Sequence, residues 1–160
     1  MKTNIGITES NRQQVSAELG KLLADEFVLL TKTKGAHWNV EGPDFYEKHK
    51  LFDEQAEQLT AIIDNVAERI RTLDYYVPAT LKEFSELTRL SESLLNQNDS
   101  QAFIRQLLTD HETIITMLRK NIGLFADIYG DLGTSDFITG LMLEHEKAAW
   151  ILRVHQNRKR

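Results

Sequence analysis

The chain of 160 residues contains no cysteine, two prolines and eight glycines, and each scarcity narrows what it can be. Without cysteine there is no disulfide scaffold, thiolate metal site, cysteine-ligated cluster or cysteine nucleophile, which suits a reducing compartment. So few prolines and glycines leave little turn material for a β protein and favour long helices. No apolar run approaches the roughly 18–20 residues of a membrane helix; Phe27 to Leu30 is hemmed in by Asp25, Glu26 and Lys32. The first dozen residues lack the apolar stretch of a secretion signal. Basic residues are outnumbered, 19 against 24 acidic ones, so the net charge of −5 repels nucleic acid on average. A hydrophobic content of 41% is enough to fill one core. The expectation is a cytoplasmic, all-α domain with no membrane partner.

Periodicity supplies four long helices. Thr8 to Ser10 offers capping side chains for a helix over 11–38, which Glu41-Gly42-Pro43 stops. A second helix over 44–73 places Phe52, Ala56, Leu59, Ile63, Val66 and Ile70 on one stripe, and Tyr75 to Pro78 breaks it. Residues 79–98 form a long connection with a short helix near 81–90. A third helix runs from 98–100 to Tyr129, ending at Gly130, and Thr134-Ser135 caps a fourth. Short loops make helices one and two, and three and four, antiparallel neighbours. The connection between two and three is long enough to cross the bundle end to end, which is the ferritin-like four-helix topology. The expected division is a short tail over 1–10, the bundle over 11–155 and a basic tail over 156–160.

Two familiar metal motifs fail. His111-Glu112 and His145-Glu146 each begin a zincin pattern, but Ile115 and Ala149 stand where the second histidine belongs. The Glu-x-x-His signature of ordinary di-iron bundles is absent as well, since Tyr46, Leu108, Met142 and Leu152 precede the histidines by three. A different arrangement remains. Pro43 is the midpoint between His37 and His49, so an antiparallel hairpin brings the two imidazoles to one level. Asp53 lies one turn beyond His49 on the same face. Two nitrogens and a carboxylate suit a divalent transition metal such as iron, zinc or manganese.

Asp64 and Glu68 continue that polar stripe, displaced by about a quarter-turn or more from the apolar one. Asp53 and Asp64 are separated by about 16 Å of helix, so one chain cannot bring both to one metal. A two-fold mate can. The pairs Asp53–Asp64 and His49–Glu68 share one midpoint on the second helix, so crossing a symmetry-related copy antiparallel sets each residue opposite its counterpart. Small Thr60 and Ala61 then fall near the crossing, and an isologous dimer holds two identical sites, each built from both chains. The alternative is a polar stripe that is simply a solvated helix face.

At these residues the sequence resembles the Dps family, the bacterial mini-ferritins first described as DNA-binding proteins from starved cells. The segment from Lys34 to Gly42, containing His37-Trp38-Asn39, is similar to the family's first signature; Phe45 to Glu57, with His49 and Phe52-Asp53-Glu54, is similar to its continuation. The pattern runs on through Asp64 and Glu68-Arg69-Ile70 and returns as His145-Glu146-Lys147 with Trp150. The resemblance implies a hollow homo-dodecamer built from two-fold dimers. It implies a ferroxidase that oxidises Fe(II), preferentially with hydrogen peroxide, and stores ferric mineral, protecting against oxidative stress. Carried over by position, His37, His49 and Asp53 come from one subunit and Asp64 and Glu68 from its mate. Trp38 would quench stray oxidising equivalents, or serve as an interface aromatic.

Acidic residues before the last helix line iron pores in this family, which points to Asp131 and Asp136, although Asp136 also complements a helix dipole. Family members that coat DNA use lysine-rich tails. The first ten residues here carry only Lys2 and Glu9 as charged groups, while Arg158, Lys159 and Arg160 offer a basic C-terminus. The alternative function is therefore a DNA-condensing nucleoid shell with secondary iron binding.

Overall fold

The computed structural model describes residues 3–93 and 98–156. Its elements are α1 (Glu9–Asn39), α2 (Phe45–Thr72), a short α3 (Leu81–Leu87), α4 (Ser100–Gly123) and α5 (Leu132–Val154), and no strand occurs among the described residues. Helices α1 and α2 form one antiparallel pair, α4 and α5 the other, and the link carrying α3 crosses between them. This is the ferritin-like bundle expected from the sequence. The stripe of α2 goes largely where its spacing directs, except that Ile63 is only partly buried, its neighbour Ile62 turning inward instead. Ala56 is buried, and Phe52, Leu59, Val66 and Ile70 are buried with Leu19, Leu23, Leu29, Ile104, Leu107 and Phe125 in one core. Each such large side chain contributes on the order of 1.5–3 kcal/mol by leaving water.

The helix ends differ from expectation in instructive ways. The α3 helix stops at Leu87 rather than near 90, because the next residues turn to a buried acid. Thr88 Oγ1 donates to Asp25 Oδ1 at 2.9 Å, the Arg89 amide donates to the same oxygen at 2.6 Å, and the Arg89 guanidinium forks onto Oδ2 at 2.6 and 2.9 Å. Lys32 likewise holds Asp110 at 2.5 Å and the Ser91 carbonyl at 2.8 Å. The Asp25–Arg89 ion pair and the Lys32–Ser91 hydrogen bond thus fasten the crossover to α1, while Lys32–Asp110 ties α1 to α4.

The last turn of α4 widens into a π-helical turn over Leu124–Ile128, and Gly130 takes a left-handed φ of 66° that reverses the chain. The cap of α5 is Asp131, not Thr134-Ser135. Its carboxylate accepts from the Thr134 amide at 2.8 Å and from the Thr134 hydroxyl at 2.5 Å, so Thr134 and Ser135 lie inside the helix.

Candidate metal centre

The α1–α2 turn is built for close approach. Gly42 adopts φ 119°, a conformation side chains rarely take, and Pro43 follows it. The Glu41 amide donates to the Asn98 carbonyl at 2.9 Å, anchoring the turn to the start of α4. Ser100 Oγ donates to Asp44 Oδ2 at 2.6 Å, which with Lys48 holds the Asp44 carboxyl below its ordinary value.

This turn lays the His37 and His49 rings in a stack, centroids 3.8 Å apart and planes 16° off parallel, with Phe45 stacked on His49 at 5.0 Å. Each imidazole is then fixed by the other's backbone. His37 Nδ1 lies 2.8 Å from the His49 carbonyl, and His49 Nδ1 lies 2.7 Å from the His37 carbonyl. A carbonyl only accepts, so both Nδ1 atoms carry a hydrogen, and it is Nε2 of each ring that is left to offer a lone pair to a cation. Backbone carbonyls holding one ring nitrogen while the other is left to a cation is the arrangement by which proteins orient ligating histidines.

Asp53 joins from α2, its Oδ1 3.9 Å from His37 Nε2. It does not stand free, and here the sequence was silent. Lys34, one turn before His37, donates to the same Oδ1 at 2.8 Å. That ammonium, by its hydrogen bond and its charge, holds the Asp53 carboxyl below the usual carboxylate range.

Asp64 and Glu68 stand exposed further along α2, with no partner among the described residues. Asp64 borders an open, largely apolar hollow of about 1100 Å³ with Thr60, Ala61, Ala67, Phe27 and Phe84. The small residues expected at a helix crossing therefore floor an uncovered concavity. Among the described residues no three His, Asp or Glu side chains of the chain surround one point. A single chain supplies His37, His49 and Asp53 at one end and Asp64 and Glu68 at the other. Trp38, next to His37, is 70% exposed.

Of the two expected pore acids, Asp136 is exposed in the first turns of α5. Asp131 is not available to a pore: it is 1% exposed, caps α5, and pairs with Arg69 at 3.2 Å. Its charge is consumed within the chain. Arg158, Lys159 and Arg160 lie outside the described residues. None of the described helices is long and apolar enough to cross a membrane.

One polar group escaped the sequence reading altogether. His145 Nε2 lies 2.9 Å from Glu26 Oε1, and His145 Nδ1 lies 2.9 Å from His111 Nδ1, all three residues being buried in the core. Burial opposes a charge on His145, but the Glu26 carboxylate, with Glu144 nearby, raises it above the ordinary histidine value. Burial, reinforced by the charge of His145, drops His111 well below that value. The available signal was Asp25-Glu26 in the middle of an otherwise apolar stretch of α1.

The ferritin-like domain family matches residues 16–160. The chain is 43% identical over 152 residues to an uncharacterized low temperature-induced protein of Nostoc sp., covering 95% of this chain and 85% of that protein. It is 34% identical over 145 residues to DNA protection during starvation protein 2 of Bacillus anthracis, covering 91% and 98%. Among solved structures, DpsC from Streptomyces coelicolor superposes with a TM-score of 0.92 at 28% identity, covering 97% of this chain and 90% of that one. The Vibrio cholerae Dps protein, described as a member of a broad superfamily of ferritin-like diiron-carboxylate proteins, superposes with a TM-score of 0.89 at 29% identity, covering 96% of each. Likeness of this extent, carried from α1 through α5 along with the turn that pairs His37 and His49, makes the chain a member of the Dps family within the ferritin-like fold.

Proposed function

We propose that the protein is a ferroxidase and iron-storage protein whose sites are completed across a two-fold dimer, twelve chains forming a hollow shell. The observation that carries this reading is the reciprocal clasp of His37 and His49, which leaves two bare Nε2 atoms beside Asp53 at the end of α2 opposite to Asp64 and Glu68. Half a ligand set at each end of one helix is what an antiparallel mate converts into two full sites.

Ferrous iron is the substrate. His37 and His49 bind it through Nε2, the Asp53 carboxylate joins once Lys34 releases it, and Asp64 and Glu68 of the mate complete the set. Carboxylate oxygens are harder donors than imidazole and favour the ferric product. Hydrogen peroxide is the preferred oxidant: it accepts two electrons, one from each of two ferrous ions, and with two protons leaves as water. Paired removal of electrons limits hydroxyl-radical release, and exposed Trp38 is placed to intercept a stray oxidising equivalent. The ferric product is stored as mineral in the shell, in the cytoplasm, with Asp136 as the remaining candidate for drawing cations inward.

The DNA-shell alternative draws support from the name of the Bacillus anthracis relative. The net charge of −5 per chain and the nearly uncharged first ten residues weigh against it. Anaerobic ferrous loading followed by one addition of peroxide, monitored by ferric absorbance on a size-fractionated sample, tests the proposal. Fast oxidation near two irons per peroxide in a shell-sized fraction is expected. Background-rate oxidation in an intact shell leaves DNA binding as the function, which a salt-dependent gel shift then examines.

A further inference from the structure

The buried chain Glu26–His145–His111 ends at a pocket. His111 offers Nδ1 to His145, and its Nε2, on the opposite side of the ring, is buried with no hydrogen-bond partner. His111, Gln55 and His145 line a hollow of about 220 Å³, mouth included, whose interior has room for one water-sized occupant. Gln55 Nε2 donates to the Ala148 carbonyl at 3.4 Å, which fixes the orientation of the amide, and its Oε1 is also buried without a partner. Exposed Glu144 stands at the mouth.

The hydrogen bonds permit two proton arrangements, and they differ in what the pocket holds. His145 Nε2 faces a carboxylate and donates in both, and the two Nδ1 atoms share one hydrogen. If His145 carries both ring protons, its charge balances Glu26, and His111 turns an Nε2–H toward the pocket. If both rings are neutral, His111 Nδ1 donates and its Nε2 presents a lone pair, while the Glu26 carboxylate, wholly buried, lacks a balancing charge. A cation at that lone pair supplies the balance, replacing one proton.

We propose that this pocket binds one divalent first-row transition cation per chain, separate from the dimer-shared centre, held by His111 Nε2 and Gln55 Oε1 with the Glu144 carboxylate closing from the mouth. No three His, Asp or Glu side chains of the described residues already surround a point. The amide oxygen and a turn of exposed Glu144 complete the set. An imidazole nitrogen with amide and carboxylate oxygens selects a transition cation over calcium or magnesium. Glu26 and His145 lie behind His111 as the carboxylate and imidazole that orient it.

The probe is Co²⁺, titrated into the assembled full-length protein carrying His37→Ala and Asp64→Asn, and read by its visible d–d absorbance. The expected result is one bound Co²⁺ per chain, lost on adding His111→Gln and weakened about tenfold by Glu144→Gln. Because His111→Gln disturbs the core, the exposed Glu144→Gln variant, with helicity checked by circular dichroism, carries the test independently. No Co²⁺ binding in the double variant, or binding indifferent to both added substitutions, overturns the proposal and leaves the pocket to a water molecule. Loss of peroxide-dependent iron oxidation with the pocket still binding Co²⁺ separates the two sites.

Discussion

Two histidine pairs lie in this bundle, and they are wired oppositely. His37 and His49 stack at a surface turn, each ring held by the other residue's carbonyl. His111 and His145 meet nitrogen to nitrogen in the core, with a carboxylate behind. In the first pair the acceptors are backbone atoms, so the hydrogen on each Nδ1 is set by the chain's path. In the second pair the rings must share one hydrogen, so the protonation of each depends on the other and on Glu26. The surface pair is fixed by the backbone; the core pair is a balance of charges.

The largest effect of a single substitution falls on the core pair. Glu26→Ala removes the acceptor that His145 Nε2 has among the described residues and leaves that buried nitrogen without a partner. Breaking a buried pair in this way costs about 3–5 kcal/mol. Urea unfolding at fixed protein concentration will show a lower midpoint, and an unchanged midpoint would mean that the core pair contributes nothing to stability. His37→Ala acts the other way. It spares the core, leaves the shell assembled, and lowers peroxide-dependent iron oxidation by about a hundredfold or more, the loss expected for a ligand that also orients its neighbour. Full activity in both His37→Ala and Asp64→Asn rules out the shared site.

These pairs also separate what the chain's order reveals from what it hides. His37 and His49 lie equidistant from Pro43, so one local turn decides their meeting and arithmetic suffices. The same helical period on α2 accounts for the exposure of Asp64 and Glu68. The core pair escapes such reasoning because Glu26 and His145 are 119 positions apart, and the rotation of α1, α4 and α5 about their axes decides whether they meet. Lys34 escaped for a milder reason: a lysine one turn before a ligand looks like any solvated lysine until its reach to Asp53 is seen. Asp131 misled, because an acid just ahead of a helix serves equally well as a cap or a pore group, and only its burial and its pairing with Arg69 distinguish them.

Asp131 supplies a smaller effect. Asp131→Ala removes the cap of α5 and the partner of Arg69, and the cap alone is worth about 1 kcal/mol. Thermal unfolding will shift accordingly. Iron uptake into the shell should slow less than with Asp136→Asn, the exposed acid of the two. Equal slowing by the two variants at equal stability would return Asp131 to the pore.

The smallest effect sharpens the picture of the surface pair. In the proposed site Lys34 and ferrous iron would compete for one atom, Asp53 Oδ1, which the ammonium holds at 2.8 Å. Both side chains are partly exposed, so solvent screens the ion pair and keeps it weak. Lys34→Met removes the competitor and a positive charge beside the incoming cation, while its apolar stem still covers the turn. Anaerobic ferrous binding should therefore tighten by a factor of about two to five, and the gain should shrink as salt is added. Weaker binding in Lys34→Met would mean that the ammonium positions Asp53 for the metal rather than withholding it, and the carboxylate would then be the part of the surface pair that needs a second residue to aim it.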